Sequence, residues 1–281
     1  MNSLPTPRQP SLLGVFAHPD DESLLAGGVL AQHAAGGADT AVVTATWSPD
    51  SHRAAELADA LKVLGAGQPR MLGYADARIP DSAPGRPRLC DAPIDEVVGM
   101  LVGHIRAVQP QLVLTHDAYG QLTGHPDHIR THQVAVLAFH AAGLEHQYPE
   151  AGTPWQPAAL YAATHPDSGM GELGALLSRV GKKVLSVPDG HITTTVDVSG
   201  FLTQKWAAIL SHRSEAIRER PLPGILARLP APVRESIIAT EYYTLLSASP
   251  RHHGQHRLPL SAADALVVPT MNPPSKINKE Q

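Results

Sequence analysis

The chain has 281 residues, of which 17% are charged and 43% hydrophobic, and a formal charge of −4. That profile is long enough to bury a sizeable core and lacks the basic excess of a nucleic-acid binder. No run reaches the length of a membrane-spanning helix, and Cys90, the single cysteine, excludes an intramolecular disulfide and a thiolate metal cluster.

The opening "MNSLPTPRQPS" has no apolar core behind a basic segment, so no secretory signal is read and a cytoplasmic location is expected. Residues 1–10 are expected to form a flexible tail. "SLLGVFA" (11–17) is a nearly continuous apolar run, the pattern of a strand covered on both faces. "ESLLAGGVLAQHAAGG" (22–37) then reads as a helix with a glycine pair as its stop. "TAVVTAT" (40–46) is a β-branched strand, Arg53 to Leu64 a helix closed by Gly65, and "RMLGY" (70–74) a short strand. A helix over 93–110 starts at Pro93 and stops before Pro110, and "QLVLTH" (111–116) is another buried-type strand. A helix over 128–142 and a strand over 159–164 continue the alternation.

Beyond residue 180 the rhythm changes. "KKVLSV" (182–187) and "HITTTVDVS" (191–199) read as strands, residues 200–220 as one helix, and the proline-bearing stretch 221–232 as an irregular connection. The β-α-β-α order predicts an α/β fold: a Rossmann-like, mostly parallel sheet with helices on both faces, in one domain over residues 11–268. The polar end, 269–281, is expected to be disordered.

Ligands of open parallel sheets bind at the carboxyl ends of the strands. Two motifs sit at such ends. "AHPDDE" (17–22) follows the first strand, and "HDAYGQLTGHPDHIRTH" (116–132) follows the strand 111–116. Consecutive acids repel one another and resist burial, so Asp20, Asp21 and Glu22 at a strand end call for a cation. His18 and Asp21 are spaced so that both can face one ion across a strand-to-helix turn. A third ligand then comes from His125, Asp127 or His128 of "GHPDH". Two histidines and one carboxylate with an open fourth position suit a catalytic Zn²⁺, with Fe²⁺ as a second ion that such a set accepts. Asp20, left free beside the ion, stands where a general base is needed. Either motif alone also reads as a turn with helix-capping aspartates; the pair is what points to a metal.

Together the two motifs strongly resemble the LmbE-like, or PIG-L, family of zinc-dependent N-deacetylases, which includes mycothiol and bacillithiol biosynthetic enzymes and glycolipid deacetylases. The resemblance extends to "RAAELADALKVLG" (53–65), "LGYAD" (72–76) and "TTTVDVSGFLTQKWAAILSHRSE" (193–215), and so spans about residues 11 to 215. It implies the LmbE-like fold, with His18, Asp21 and His128 as zinc ligands. Asp20 is then the base that activates the attacking water, His125 stabilises or protonates the tetrahedral intermediate, and Asp127 orients His125. Arg53 and Asp76 become substrate contacts, and His212 falls in the late motif near the site. Thr123 stands where some sugar-deacetylating relatives carry a tyrosine, and Glu215 where the family usually has glutamine.

The implied activity is removal of an N-acyl group, acetyl above all, from a small sugar-like or natural-product molecule, with neither nucleic acid nor membrane as partner and no oligomeric state assigned. The nearest rival is an amidase acting on a thiol conjugate. A two-metal phosphoesterase needs a bridging carboxylate and more ligands than this pattern offers. A non-catalytic nucleotide-binding module is opposed by the turn after the first strand, which lacks G-x-G-x-x-G and carries acids where phosphates would sit. His33, His104 and His140 are read as structural residues of helices, and "RHHGQH" (251–256) as a solvated loop. His116 and Asp117 follow a central strand, where groups supporting a metal-bound histidine can sit, although a structural role is the preferred reading.

Overall fold

In the computed structural model, which describes residues 9–182 and 184–249, the apolar runs of the first half become strands buried on both faces. Strands β1 (Leu12–Phe16), β2 (Thr40–Thr46), β3 (Arg70–Tyr74), β4 (Leu112–His116) and β5 (Ala159–Thr164) pair in parallel. With β6 (Thr194–Asp197) and β7 (Thr240–Ala248) they form a seven-stranded sheet in the order β3-β2-β1-β4-β5-β7-β6. β7 runs antiparallel to both β5 and β6, so the sheet is mixed, and mostly parallel as expected.

The two-residue period of the strands divides the core into two layers. Leu12, Phe16, Val42, Leu112 and Tyr161 pack on the face covered by α1 (Asp21–Ala35), α2 (His52–Leu64) and α6 (Leu202–Ser211). Leu13, Val15, Val43, Val113 and Leu160 face α3 (Ile94–Val108) and α4 (Pro126–Ala141). Helices on both faces explain why these strands read as continuous apolar runs rather than alternating ones.

The strand order reverses direction between β1 and β4, which are hydrogen-bonded neighbours. The helix after β1 covers one face and the helix after β4 the other, so the two connections part and leave a crevice at the carboxyl ends of both strands. Both sequence motifs leave the sheet there.

Three expectations for the second half are corrected. Of the strand expected over 182–187, the described residues form only a single bridge, Val187 to Pro166. The apolar residues are used differently: Leu185 donates its N–H to Leu122 O, Val187 to His165 O, and Val184 packs beside Met170 and Leu173, so the segment pairs with loops and a helix layer. The helix expected over 200–220 ends at Ser211, where His212 leaves helical geometry (φ −78°, ψ 62°) before the short α7 (Arg213–Ala216). The irregular stretch 221–232 instead starts two helices, α8 (Leu222–Ala227) and α9 (Ala231–Ile238). Pro223 and Pro232 occupy first turns, where the missing N–H costs nothing, so these prolines open helices rather than prevent them. α5 (Gly171–Arg179) and β7 are further elements that the sequence reading did not contain. "RHHGQH", the end of the expected domain and both expected tails, apart from Gln9 and Pro10, lie outside the described residues.

Candidate metal centre and active site

The first wall of the crevice is the turn from β1 into α1. Asp20 takes φ +133°, a conformation that disfavours a side chain, and its N–H is held by Glu22 Oε2 at 3.0 Å. This sharp turn folds Asp21 back, so that its Oδ2 accepts the His18 N–H at 2.8 Å. Both side chains then converge on the carboxyl end of β1. Behind them Glu22 is fully buried and accepts from His212 Nε2 at 2.7 Å and from Ser23 Oγ at 2.6 Å.

The second wall follows β4. The Asp117 carboxylate accepts the N–H groups of Tyr119 (3.0 Å) and Gln121 (2.8 Å) and the Thr164 hydroxyl (2.9 Å), which makes it a loop-holding residue. Gly120 sits at φ +79°, and a Cβ there would lie 2.8 Å from the His125 backbone nitrogen, so only glycine permits this return of the chain. His125 caps α4, with Nδ1 accepting the Asp127 N–H at 3.2 Å. Nε2 of that ring therefore carries the proton and is left free to donate. His128 follows in the first turn of α4.

Donor atoms of three side chains meet between the walls. His18 Nδ1 lies 3.1 Å from His128 Nε2 and 3.2 Å from Asp21 Oδ2, and His128 Nε2 lies 3.4 Å from Asp21 Oδ1. Ligands about 2.0–2.1 Å from a tetrahedral Zn²⁺ stand about 3.3 Å from one another, so this donor set fits such an ion. The other nitrogen of His18, Nε2, faces Asp127 Oδ2 at 3.2 Å and Asp76 Oδ2 at 3.3 Å. Carboxylates behind a liganding imidazole fix its orientation and raise its basicity. Burial pulls the His18 ring down, but hydrogen bonds to Asp127 and Asp21 outweigh it and lift the ring to about 10. The carboxylates thus hold a strong preference for positive charge at this point.

Asp127 meets both histidines: its N–H donates to His125 Nδ1, whereas its carboxylate stands nearer to His18. Its carboxylate is 3.8 Å from His125 Nδ1, against 3.2 Å from His18 Nε2, and it also accepts the Ala77 N–H at 2.9 Å. His116 stands closer to the centre than the sequence reading favoured. Its ring stacks on His128 with centroids 4.1 Å apart, and its Nε2 lies 3.5 Å from Asp21 Oδ2. That nitrogen accepts the Ala17 N–H at 2.9 Å, which occupies the lone pair a metal would use.

A cavity of about 320 Å³ opens over these groups. His18, Asp20, Asp21, His125 and His128 line it, as do Arg53, Asp76 and Thr123. His212 does not; it is fully buried on Glu22. Arg53 is buried and its guanidinium is engaged by Asp20 Oδ2 at 3.2 Å, Glu215 Oε1 at 3.2 Å and the Pro19 carbonyl, with the Trp47 ring 5.0 Å away. Burial, assisted by Asp21 and opposed by Arg53, lifts Asp20 to about 6. Burial, with His18 and His128 adding to it, pushes His125 down to about 3, so that ring is a neutral N–H donor. Glu22, as the acid that holds His212, was not singled out from the sequence; its place three residues before the helix's apolar face looks like ordinary N-terminal charge.

Residues 13–139 match the model of the PIG-L family, GlcNAc-PI de-N-acetylase. A 1D-myo-inositol 2-acetamido-2-deoxy-alpha-D-glucopyranoside deacetylase of Rhodococcus opacus is 35% identical, covering 84% of this chain and 91% of the relative. One of the same name from Streptomyces avermitilis is 34% identical over 88% of this chain and 94% of its own. Among solved structures, a conserved protein of Thermus thermophilus superposes with a TM-score of 0.58 at 26% identity, covering 86% of this chain and 96% of that one. N,N'-diacetylchitobiose deacetylase of Pyrococcus horikoshii shares the fold with a TM-score of 0.59 at 18% identity, covering 84% and 83%. The two motifs that meet at the β1–β4 crevice lie inside the matched segment, and the likeness to curated deacetylases runs through nearly all of the chain: it belongs to the PIG-L (LmbE-like) family and is an N-deacetylase.

Proposed function

We propose that this chain removes the acetyl group from the nitrogen of an acetamido sugar, with a divalent ion held by His18, Asp21 and His128. The observation that carries this reading is the approach, at 3.1–3.4 Å, of donor atoms from three side chains of two separate chain segments, Asp21 meeting His18 through Oδ2 and His128 through Oδ1, beneath an open cavity. When bound, the ion supplies Lewis-acid polarisation of the amide carbonyl and makes water a better nucleophile at neutral pH. The remaining work falls to the protein's own groups. Asp20, lifted to about 6, is ionised at neutral pH and close enough to it to accept a proton from the attacking water. Arg53 holds that carboxylate in place rather than reaching for substrate, since its two terminal nitrogens are engaged by Asp20, Pro19 and Glu215. His125, neutral and with Nε2–H free, donates to the oxygen that becomes negative as the carbonyl carbon turns tetrahedral. Asp127 and Asp76 orient His18. Thr123, in the cavity lining, takes the place on this chain where a tyrosine contact would be.

The test is release of acetate and free amine from a panel of N-acetylated amino sugars, including an inositol-linked one, by zinc-loaded protein. Turnover that is lost on chelation and regained with zinc supports the reading. Chelator-insensitive turnover, or none on any acetamido sugar while a thiol-conjugate amide is cleaved, overturns it.

A further inference from the structure

The outer part of the cavity differs in charge from its floor. The acidic side chains that line it are already engaged: Asp20 by Arg53, Asp21 by His18 and His128, and Asp76 by His18. Glu215 is shared by Arg53 at 3.2 Å and Arg218 at 2.9 Å. Three further cations line the same cavity and have no carboxylate partner among the described residues: Arg78, Lys182 and Arg220. They come from three separate connections, after β3, after α5 and between α7 and α8. Arg78 and Arg220 are exposed and Lys182 is half-buried, whereas the metal-site groups below are buried or nearly so.

Arg78 and Arg220 both line the cavity within electrostatic reach of Lys182. Burial pushes Lys182 below its usual value, and Arg220 and Arg78 add to that push against the pull of Asp20. Arg78 likewise contributes to the lowering of His125, so it stands over the catalytic floor as well. Unpaired like charges brought together in a concave site repel, and they focus the field on whatever anion enters. One bidentate arginine satisfies a carboxylate, but three cations converging from three segments match the three terminal oxygens of a phosphoryl group.

We infer that the substrate carries a phosphate at the end remote from its acetamido group, and that Arg78, Lys182 and Arg220 bind it. This deepens the reading of the chain as an acetamido-sugar deacetylase and rests on it. The cations then set specificity and orientation, placing the acetamide over the metal floor while the phosphate stays at the solvent-facing rim.

Binding of glucosamine, glucosamine 1-phosphate and glucosamine 6-phosphate to the zinc-loaded protein, measured by calorimetry at low ionic strength, tests this directly. At least one phosphate ester is expected to bind about tenfold or more tightly than unphosphorylated glucosamine, with the gain shrinking as salt is raised. Arg78→Ser/Lys182→Ser/Arg220→Ser is expected to abolish the gain. The exposed pair alone, Arg78→Ser/Arg220→Ser, is expected to lose most of it and decides the matter if the triple variant folds poorly. Equal binding of glucosamine and its phosphate esters overturns the inference. So does a gain that persists in the variants, because that is phosphate held by the metal. Acetate release from the panel of N-acetylated amino sugars is measured in parallel: its absence from every member would break the acetamido-sugar reading, while the rim is judged by binding alone.

Discussion

Asp20 and Asp21 are neighbours with the same side chain and different surroundings. Asp21 lies among His18, His116 and His128, which hold its carboxyl well below the usual range against the opposing effect of burial. Asp20 faces Arg53 and stays near neutrality. Asp21→Asn should therefore lose activity through an emptied metal site, and excess zinc should restore part of it. Asp20→Asn should keep its metal and lose about 10²–10⁴-fold in kcat with no rescue by zinc. Metal content by atomic absorption, set beside kcat, separates the two; equal rescue of both variants would remove Asp20 from the role of base. Arg53 leads to a second expectation at this scale. Asp20 must be ionised to accept a proton, so activity falls as pH drops through its pKa, and the Arg53 charge lowers that pKa. Arg53→Gln should move the acid limb of the kcat/KM profile to higher pH. A limb that stays in place, with only KM raised, would return Arg53 to the role of substrate contact that the sequence motif implied.

α1 shows what one element requires from several others. Gly28 faces Val198 so closely that an added Cβ would lie 2.3 Å from the Val198 Cβ. The Gly28 and Val29 N–H groups also donate to Glu241 of β7, at 2.8 and 3.1 Å, although they lie inside the helix. Glu241 is itself nearly inaccessible and is balanced by Lys205 of α6 at 2.8 Å, whose Nζ also donates to Ile238 O at 3.0 Å. Gly28→Ala should cost about 1–3 kcal/mol by overpacking. Lys205→Met should cost about 3–5 kcal/mol, because it strands a buried carboxylate. Urea unfolding monitored by circular dichroism reads both. A Lys205→Met protein as stable as the parent would show that the helix N–H groups and Tyr243, 2.8 Å from Glu241, suffice to hold that charge.

Across the molecule, the proposed metal site draws on parts of the chain that no backbone pairing joins directly. His18 and Asp21 belong to the β1–α1 turn and His128 to the start of α4, on the opposite helix layer. An ion bound only by the folded arrangement stabilises it by mass action, about 2.7 kcal/mol at a hundredfold excess over Kd. Zinc should accordingly raise the thermal midpoint of the chelated protein, and His128→Ala should abolish the response. A shift that survives His128→Ala would place the ion elsewhere, with the cluster of His18, Asp76, His125 and Asp127 as the next set of donors. Among the described residues no helix is long and apolar enough to cross a membrane, in line with the composition.

How far the sequence spoke depended on how local each signal was. The apolar runs of β1, β2, β4 and β5, covered on both faces, and the helices between them follow from hydrophobic pattern and chain order, and these set the α/β class. The motifs "AHPDDE" and "GHPDH" named His18, Asp20, Asp21, His125, Asp127 and His128, because acids and histidines at strand ends carry their chemistry in their spacing. What the local pattern could not supply was partnership. In β7, which was missed, one of the two buried residues, Glu241, is a charge that becomes tolerable only once Lys205 and two N–H groups of α1 arrive. Asp127 was paired with His125, two residues before it, whereas folding brings His18, 109 residues away, closer to its carboxylate. Arg53 was read as a substrate contact; it does line the cavity, but folding also sets its guanidinium against Asp20 and Glu215. Arg78, Lys182 and Arg220 carry no motif at all. They meet around one cavity only because three connections that are distant along the chain border it in the fold. Residue type and spacing announced the donors; the strand order between β1 and β4 decided what each of them faces.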